Sequence, residues 1–349
     1  MGFWLGSDLR ATISWPMALI SGFVVALSIV ILAHMVNSFV QHIFIFTLWT
    51  IYICAAWNIM ATLRHESLGH TLFLAAGAYT SSMLYLNFSL SPWLGMLAGI
   101  GVAAIIALAI SIICFYRRIP PFTFTLLTLA FGFIGFFLVS SAKFLGSTVG
   151  INVRKFGTMP WEYQFADKLP FLYIILIMTA GVVTVHWLIT HSRYGLSLLA
   201  IRDNERAAMA TGLNVPLAKS ITLALSAGLM APAGTFWAQY SGWVEPGGVL
   251  APSLAISMAL LAMIGGEGKP LGPVIGAGIL VPLGQLLNAK LGGIYPGSST
   301  LLYGLIVIFV IRFMPEGIVG LFSWQDWYRR AVHSTGGPHT SKNNGTESK

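Results

Sequence analysis

The chain has 349 residues, of which 56% are hydrophobic and 9% charged, with a formal net charge of +8. A soluble domain carries about 25% charged residues, so this composition excludes a water-covered surface around so apolar a core, and lipid must be the main solvent. Nucleic acid is excluded as a partner because no basic run is interleaved with aromatics on a soluble segment; basic residues decorate the cytoplasmic loops of membrane proteins instead.

A span needs about 20 apolar residues to cross roughly 30 Å of hydrocarbon, and in lipid its backbone must close its own hydrogen bonds as a helix. About ten runs qualify, which predicts an all-α polytopic membrane protein with some helices short or broken. The first run, 14–34, is too long for a signal-peptide core and lacks a small-x-small cleavage site, so it reads as a retained span. Next come 39–62 and the Gly-rich 67–87, then 92–116 and 121–141 on either side of Arg117 and Arg118. Cys54 and Cys114 fall inside these apolar runs and read as buried thiols. A mixed-charge loop, 142–169, carries Lys143, Arg154, Lys155 and Lys168 against Glu162 and Asp167. The span 170–190 precedes a polar loop, 191–219, and 220–241, 251–265, 271–289 and 299–314 complete the set. Trp324, Trp327 and Tyr328 beside Arg329 and Arg330 read as an interfacial belt. From His333 onward the composition predicts a disordered tail.

With ten spans, Arg10, Arg64, Arg117, Arg118, Arg193, Arg202, Arg206, Lys219 and Arg312 all fall on one side, which the positive-inside rule makes cytoplasmic. Both termini are then inside and 142–169 is outside. All eleven carboxylates lie in loops, tails or span ends, which argues against ion coupling through a buried acid. His42 and His186 are the ionisable groups deepest in apolar runs, and each reads as a packing residue before a proton relay. His65 and His70 flank Glu66, but five residues on a helix separate them by about 140°, so no metal site is expected. No P-loop exists, since Gly268-Lys269 runs into Pro270, and no cofactor or catalytic cluster is expected.

Three places carry function or fine structure. Ser67, His70 and Thr71 would share one face of a helical third span, with Tyr79 about 80° around from Thr71. This stripe either lines a solute path or bonds neighbouring helices. Gly265, Gly266, Gly268, Gly272 and Pro273 predict a tight turn between 251–265 and 271–289. In 191–219, Asp203 and Asn204 can cap a short helix that begins near Glu205, continues through Arg206, Ala207 and Ala208, and ends at Gly212. That helix is either a docking surface or an ordinary connector.

Glu205-Arg206-Ala207-Ala208 followed by Gly212 resembles the cytoplasmic EAA motif of ABC-importer permeases. Ser67-Leu68-Gly69-His70, Gly77-Ala78-Tyr79 and Thr128-Leu129-Ala130-Phe131 resemble the branched-chain amino-acid permease family of LivM type. So do Tyr194-Gly195, Gly265-Gly266-x-Gly268, Gly272-Pro273 and Pro315-x-Gly317, all in the family's order over about residues 55 to 322. Arg64-His65-Glu66 departs from the family's Gly-rich approach, and Pro120-Pro121 from its Gly before an aromatic. The resemblance implies a transmembrane permease domain over 1–322 whose loop 191–219 docks an ATPase, with 323–349 as interfacial segment and tail. It further implies a multi-pass protein of the bacterial inner membrane with no catalysis of its own. Its partners would be a second, LivH-type permease, two ATP-binding subunits and a periplasmic solute-binding protein, and its solute a branched-chain amino acid or a related small molecule. The rivals are an ATP-independent facilitator and an integral membrane enzyme.

Overall fold

The computed structural model describes residues 28–154 and 159–291, with scattered positions between 301 and 319. Most of the expected span 14–34, much of 299–314, Lys155 and the whole of 323–349 lie outside the described residues.

Residues 28–35 are helical, and Asn37 caps the next helix by accepting the Val40 N–H at 3.1 Å. The helices that follow are α1 (Ser38–Ala61), α2 (His70–Phe88), α3 (Pro92–Cys114), α4 (Pro121–Ser141), α5 (Leu169–His191) and α6 (Arg193–Asp203). After them come α7 (Glu205–Ala210), α8 (Val215–Ser241), α9 (Pro246–Val249), α10 (Pro252–Gly266) and α11 (Gly272–Leu291). Proline opens α3, α4, α5, α8, α9 and α10. It has no N–H to leave unpaired in a first helical turn, so it starts a helix without cost. Among the described residues seven segments are long and apolar enough to cross a membrane, with α9 and α10 counted together. The protein is a helical, multi-pass membrane protein. The expected span 251–265 is α10, preceded by the separate turn α9, so the backbone here is broken.

α2 is not among the seven, because Ser, Thr, Gly and Tyr dilute its apolar residues. It packs inside the body between α3 and α8. A Cβ added to Gly77 would lie 1.9 Å from the Ala231 carbonyl oxygen, and one on Gly234 1.9 Å from that of Leu74. Backbone therefore touches backbone here, the close approach that small residues allow in membranes. α1 is the central helix. Trp49 Nε1 donates to the Ala233 carbonyl (3.0 Å) and the Tyr52 hydroxyl to that of Leu229 (2.6 Å), which ties α1 to α8. By contrast Ile105, Ile112, Phe122, Phe137 and Ile177 are exposed, an apolar surface that suits lipid or another membrane chain.

The helices alternate in direction, so the connections gather at two ends. One end holds 62–69, 115–120, 192–214 and 267–271; the other holds 89–91, 142–168 and 242–251. At the second end β1 (Ile151–Asn152) pairs antiparallel with β2 (Trp243–Val244), with Ile151 opposite Val244. This pair departs from a purely helical chain, and two residues per strand are too short for any period-2 pattern to signal. Trp93 stacks on Tyr163 at 4.2 Å and Ser91 Oγ donates to the Trp161 carbonyl (2.6 Å), which fastens the loop onto the helix ends. His42 lies here too, its Nδ1 2.6 Å from the Tyr240 hydroxyl.

Candidate functional site

The first end collects the basic loops and the short helix expected near Glu205. The loop 191–219 is more ordered than its polarity suggests, because α6 precedes the short helix. Ser192 caps α6 through the Gly195 N–H (3.1 Å), and Tyr194 donates to the Ala218 carbonyl (2.8 Å), pinning α6 to the base of α8. Asp203 is the last residue of α6 and does not cap α7. Asn204 is the cap: its Oδ1 accepts the N–H groups of Arg206 and Ala207, each at 3.1 Å. Gly212 follows the helix at φ +89°, and Asn214 caps α8 through the Leu217 N–H.

The short helix presents only part of its sequence to solvent. Asp203, Asn204, Arg206, Ala207 and Gly212 are exposed, but Ala208 is buried against the body and only 4% exposed. Glu205 also turns inward. Its Oε1 accepts a hydrogen bond from Lys219 Nζ, and Lys219 is 5% exposed at the foot of α8. Lys219 also donates to His65 Nε2 at 3.0 Å, while His65 Nδ1 bonds the Leu63 carbonyl at 2.9 Å. His65 is thus the neutral tautomer, with hydrogen on Nδ1 and an acceptor facing the ammonium. Phe115 lies 5.7 Å from the ammonium and Phe124 5.7 Å from the imidazole, laying aromatic surface against both groups. One buried cation therefore joins three separate segments: α7, α8 and the loop 62–69. A buried ammonium needs such partners to offset its lost hydration.

Burial and the adjacent Lys219 push His65 down from 6.5 to about 4. Between those values the unfolded chain binds a proton that the folded chain does not, so stability rises with pH across that window. The melting temperature in detergent should be flat above pH 6.5 and fall towards pH 4, with the His65 contribution on the order of 3 kcal/mol. His65→Gln should flatten this part of the curve; an unchanged curve would remove the assignment of a neutral buried imidazole.

Beside this cluster the chain turns tightly between α10 and α11. Gly265, Gly272 and Pro273 are buried, and a Cβ on Gly265 would lie 1.8 Å from the Gly272 carbonyl oxygen. Gly266 and Gly268 take φ of +141° and +69°, which side chains resist. Asn58, in the last turn of α1, holds this turn. Its Nδ2 donates to the Lys269 carbonyl (2.9 Å) and its Oδ1 accepts the Gly268 N–H (2.8 Å). Sequence reasoning passed over Asn58, although a lone amide inside an apolar run was the available signal.

The expected polar stripe does not form as one helical face. Ser67 lies in the loop before α2, where its carbonyl accepts from Trp57 Nε1 at 2.7 Å. His70 and Thr71 open α2 and are buried. His70 Nε2 sits 2.7 Å from Ser226 Oγ, which donates to the Ala56 carbonyl (2.7 Å), so this polar chain bonds α2, α8 and α1 together. Tyr79 is buried farther along α2, and among the described residues its hydroxyl has no hydrogen-bond partner.

Residues 42–311 match the profile of the family described as branched-chain amino acid transport system / permease component. The chain is 24% identical over 278 residues to the high-affinity branched-chain amino acid transport system permease protein LivM of Salmonella typhimurium, covering 72% of this chain and 63% of that protein. Its Escherichia coli counterpart is 23% identical over the same shares. The fructose import permease protein FrcC of Rhizobium meliloti is 24% identical over 230 residues, 64% of this chain and 63% of that protein. The matches thus span less than two thirds of the length of these relatives. A helical membrane body in the motif order of such permeases, matched by the family profile over most of its length, places this chain in the family of branched-chain amino acid transport system permease components.

Proposed function

We propose that the chain is the permease subunit of a bacterial ABC importer in the inner membrane. With a second permease it forms the path for a branched-chain amino acid or a related small polar solute. Two separate ATP-hydrolysing subunits drive it and a periplasmic binding protein delivers the solute. The observation that carries this reading is α7, a capped helix with Arg206 and Ala207 exposed at the end where Arg117, Arg118, Arg193 and Arg202 gather. Membership of the permease family supports it. ATP binding would shift the permease pair between inward and outward states through this contact. An ATP-independent facilitator would need no such helix.

Ala207→Trp enlarges the exposed face without entering the core. It should abolish association with the ATPase subunits and uptake, while the protein still inserts; wild-type uptake would remove the docking assignment. A cysteine at exposed Asn152 should label with an impermeant thiol reagent from the periplasm, and one at exposed Asn214 should not. The reverse pattern would overturn the orientation.

For the solute path we retain Tyr79, with Ser67, His70 and Thr71 as the polar group at the base of α2. Tyr79→Phe in a reconstituted complex should change solute affinity while binding-protein-stimulated ATP hydrolysis survives. Loss of both in proportion would make Tyr79 a packing residue.

A further inference from the structure

A cavity of about 400 Å³ opens at the second end, between the loop that precedes α5 and the ends of α1, α5 and α8. One side of it is a run of rings, each touching the next. Phe165 meets Phe171 at 5.2 Å and Phe171 meets Tyr240 at 5.3 Å. Tyr240 in turn stacks on His42 at 5.7 Å and meets Trp237 at 6.2 Å. The bond between His42 and the Tyr240 hydroxyl fixes the middle of this wall. The cavity also carries charge of both signs, from Arg154, Asp167 and Lys168. Among the described residues none of these three is in a salt bridge, although they line one space. Lys168 Nζ donates to the Ser38 carbonyl at 3.1 Å, which positions the ammonium and leaves two of its three N–H groups to offer.

We propose that this cavity binds a free α-amino acid with an apolar side chain, at a site apart from the solute path. A zwitterion uses both signs of charge at once. Its carboxylate takes the Arg154 guanidinium, which can hold two oxygens together, and the Lys168 ammonium. Its ammonium takes the Asp167 carboxylate and faces ring surfaces that attract cations. Its side chain covers the aromatic wall, in a volume within the range of small-molecule pockets, roughly 300–1,000 Å³. A simple carboxylate would be repelled by Asp167, and a simple amine by Arg154 and Lys168. The choice of an amino acid rests on the solute class proposed above; the cavity itself does not, since none of its residues lies on α2. A molecule seated here would tie the ends of α1, α5 and α8 to the loop before α5. Free solute would then hold this end of the protein in one arrangement.

The test is a titration of the permease pair in lipid nanodiscs, without binding protein or nucleotide, read by calorimetry and by the shift in melting temperature. The probes are L-leucine, isocaproate, which lacks its ammonium, and isoamylamine, which lacks its carboxylate. Leucine should bind saturably and raise the melting temperature, and each half-molecule should bind at least tenfold more weakly. Asp167→Asn and Arg154→Gln remove one charge each, and Ala166→Trp fills the cavity from its own wall. All three positions are exposed, so the melting temperature without ligand should not change. Each variant should weaken leucine binding at least tenfold, while Tyr79→Phe should leave this binding unaltered. If the three cavity variants bind leucine as wild type, the proposal is overturned; binding that Tyr79→Phe alone weakens would leave the solute-path reading standing. If isocaproate binds as tightly as leucine the cavity is an anion site, and if isoamylamine does it is a cation site, and either result overturns the zwitterion. Absence of saturable leucine binding overturns the proposal too, and the solute reading is then judged by uptake alone.

Discussion

Gly77→Val should abolish folded protein in the membrane. The first carbon of any side chain at this position would lie 1.9 Å from the Ala231 carbonyl oxygen and 2.7 Å from its Cα, and that neighbour is helix backbone that cannot swing away. Separating α2 from α8 by the width of a side chain would break three further contacts. These are the Gly234 approach to Leu74, the Thr235 bond to the Gly77 carbonyl (3.2 Å) and the His70–Ser226 bond. Overpacking an ordinary core costs about 1–3 kcal/mol because side chains can shift; here the cost should exceed that range. Gly101, on α3, offers the control: nothing lies within 4 Å of a Cβ built there. Gly101→Ala should leave the melting temperature unchanged or raise it, since alanine favours a helix over glycine by about 1 kcal/mol. Thermal unfolding of both variants in detergent decides the matter. A Gly77→Val protein that melts like wild type would mean the two helices are not in backbone contact.

Lys219→Met should uncouple the protein while leaving its helical body intact. The substitution keeps an unbranched side chain one atom shorter and removes the charge that Glu205 and His65 share. Breaking a fully buried pair costs about 3–5 kcal/mol, but the Glu205 side chain is 39% exposed and can regain water. A loss of about 1–3 kcal/mol is therefore expected. The larger effect should be mechanical. Without the ammonium, α7 is no longer fastened to the base of α8 and to the loop that leads into α2. Uptake should fall at least tenfold while the ATPase subunits still bind and hydrolyse ATP. Lys219→Arg, which keeps the charge, should retain most transport. Full uptake by the methionine variant would reduce the cluster to local packing.

Part of this arrangement could be read along the chain. Seven described apolar helices fall on runs found by length, while α2 is too diluted by polar residues to count among them. Asn204 and Gly212 bracket α7, though Asp203 is not a cap. What escaped was of two kinds. The inward turn of Glu205 and Ala208 has no signature, because a six-residue helix is too short for an apolar period to show its face. The Lys219–His65 bond joins positions 154 residues apart, and nothing near either one announces the other. The polar stripe failed for a local reason: the chain does not become helical until His70, so Ser67 never shares a helical face with it. α6 was passed over because its sequence looked like loop, and its order comes from Tyr194 reaching α8 rather than from its own apolar pattern.

The Asn58 clasp carries a consequence for biogenesis. Its two bonds span 211 and 210 residues of sequence, so neither can exist while the ribosome is still making the first helices. α1 must enter the bilayer with this amide, one turn from its end, held by water at the membrane interface rather than by protein. The central helix is therefore among the first to be synthesised, is tied to α8 when that helix arrives, and is fastened at its end only by the turn after α10. Chains truncated before that turn should keep α1 tied to α8 but leave its Asn58 end unfastened and more open to membrane proteases.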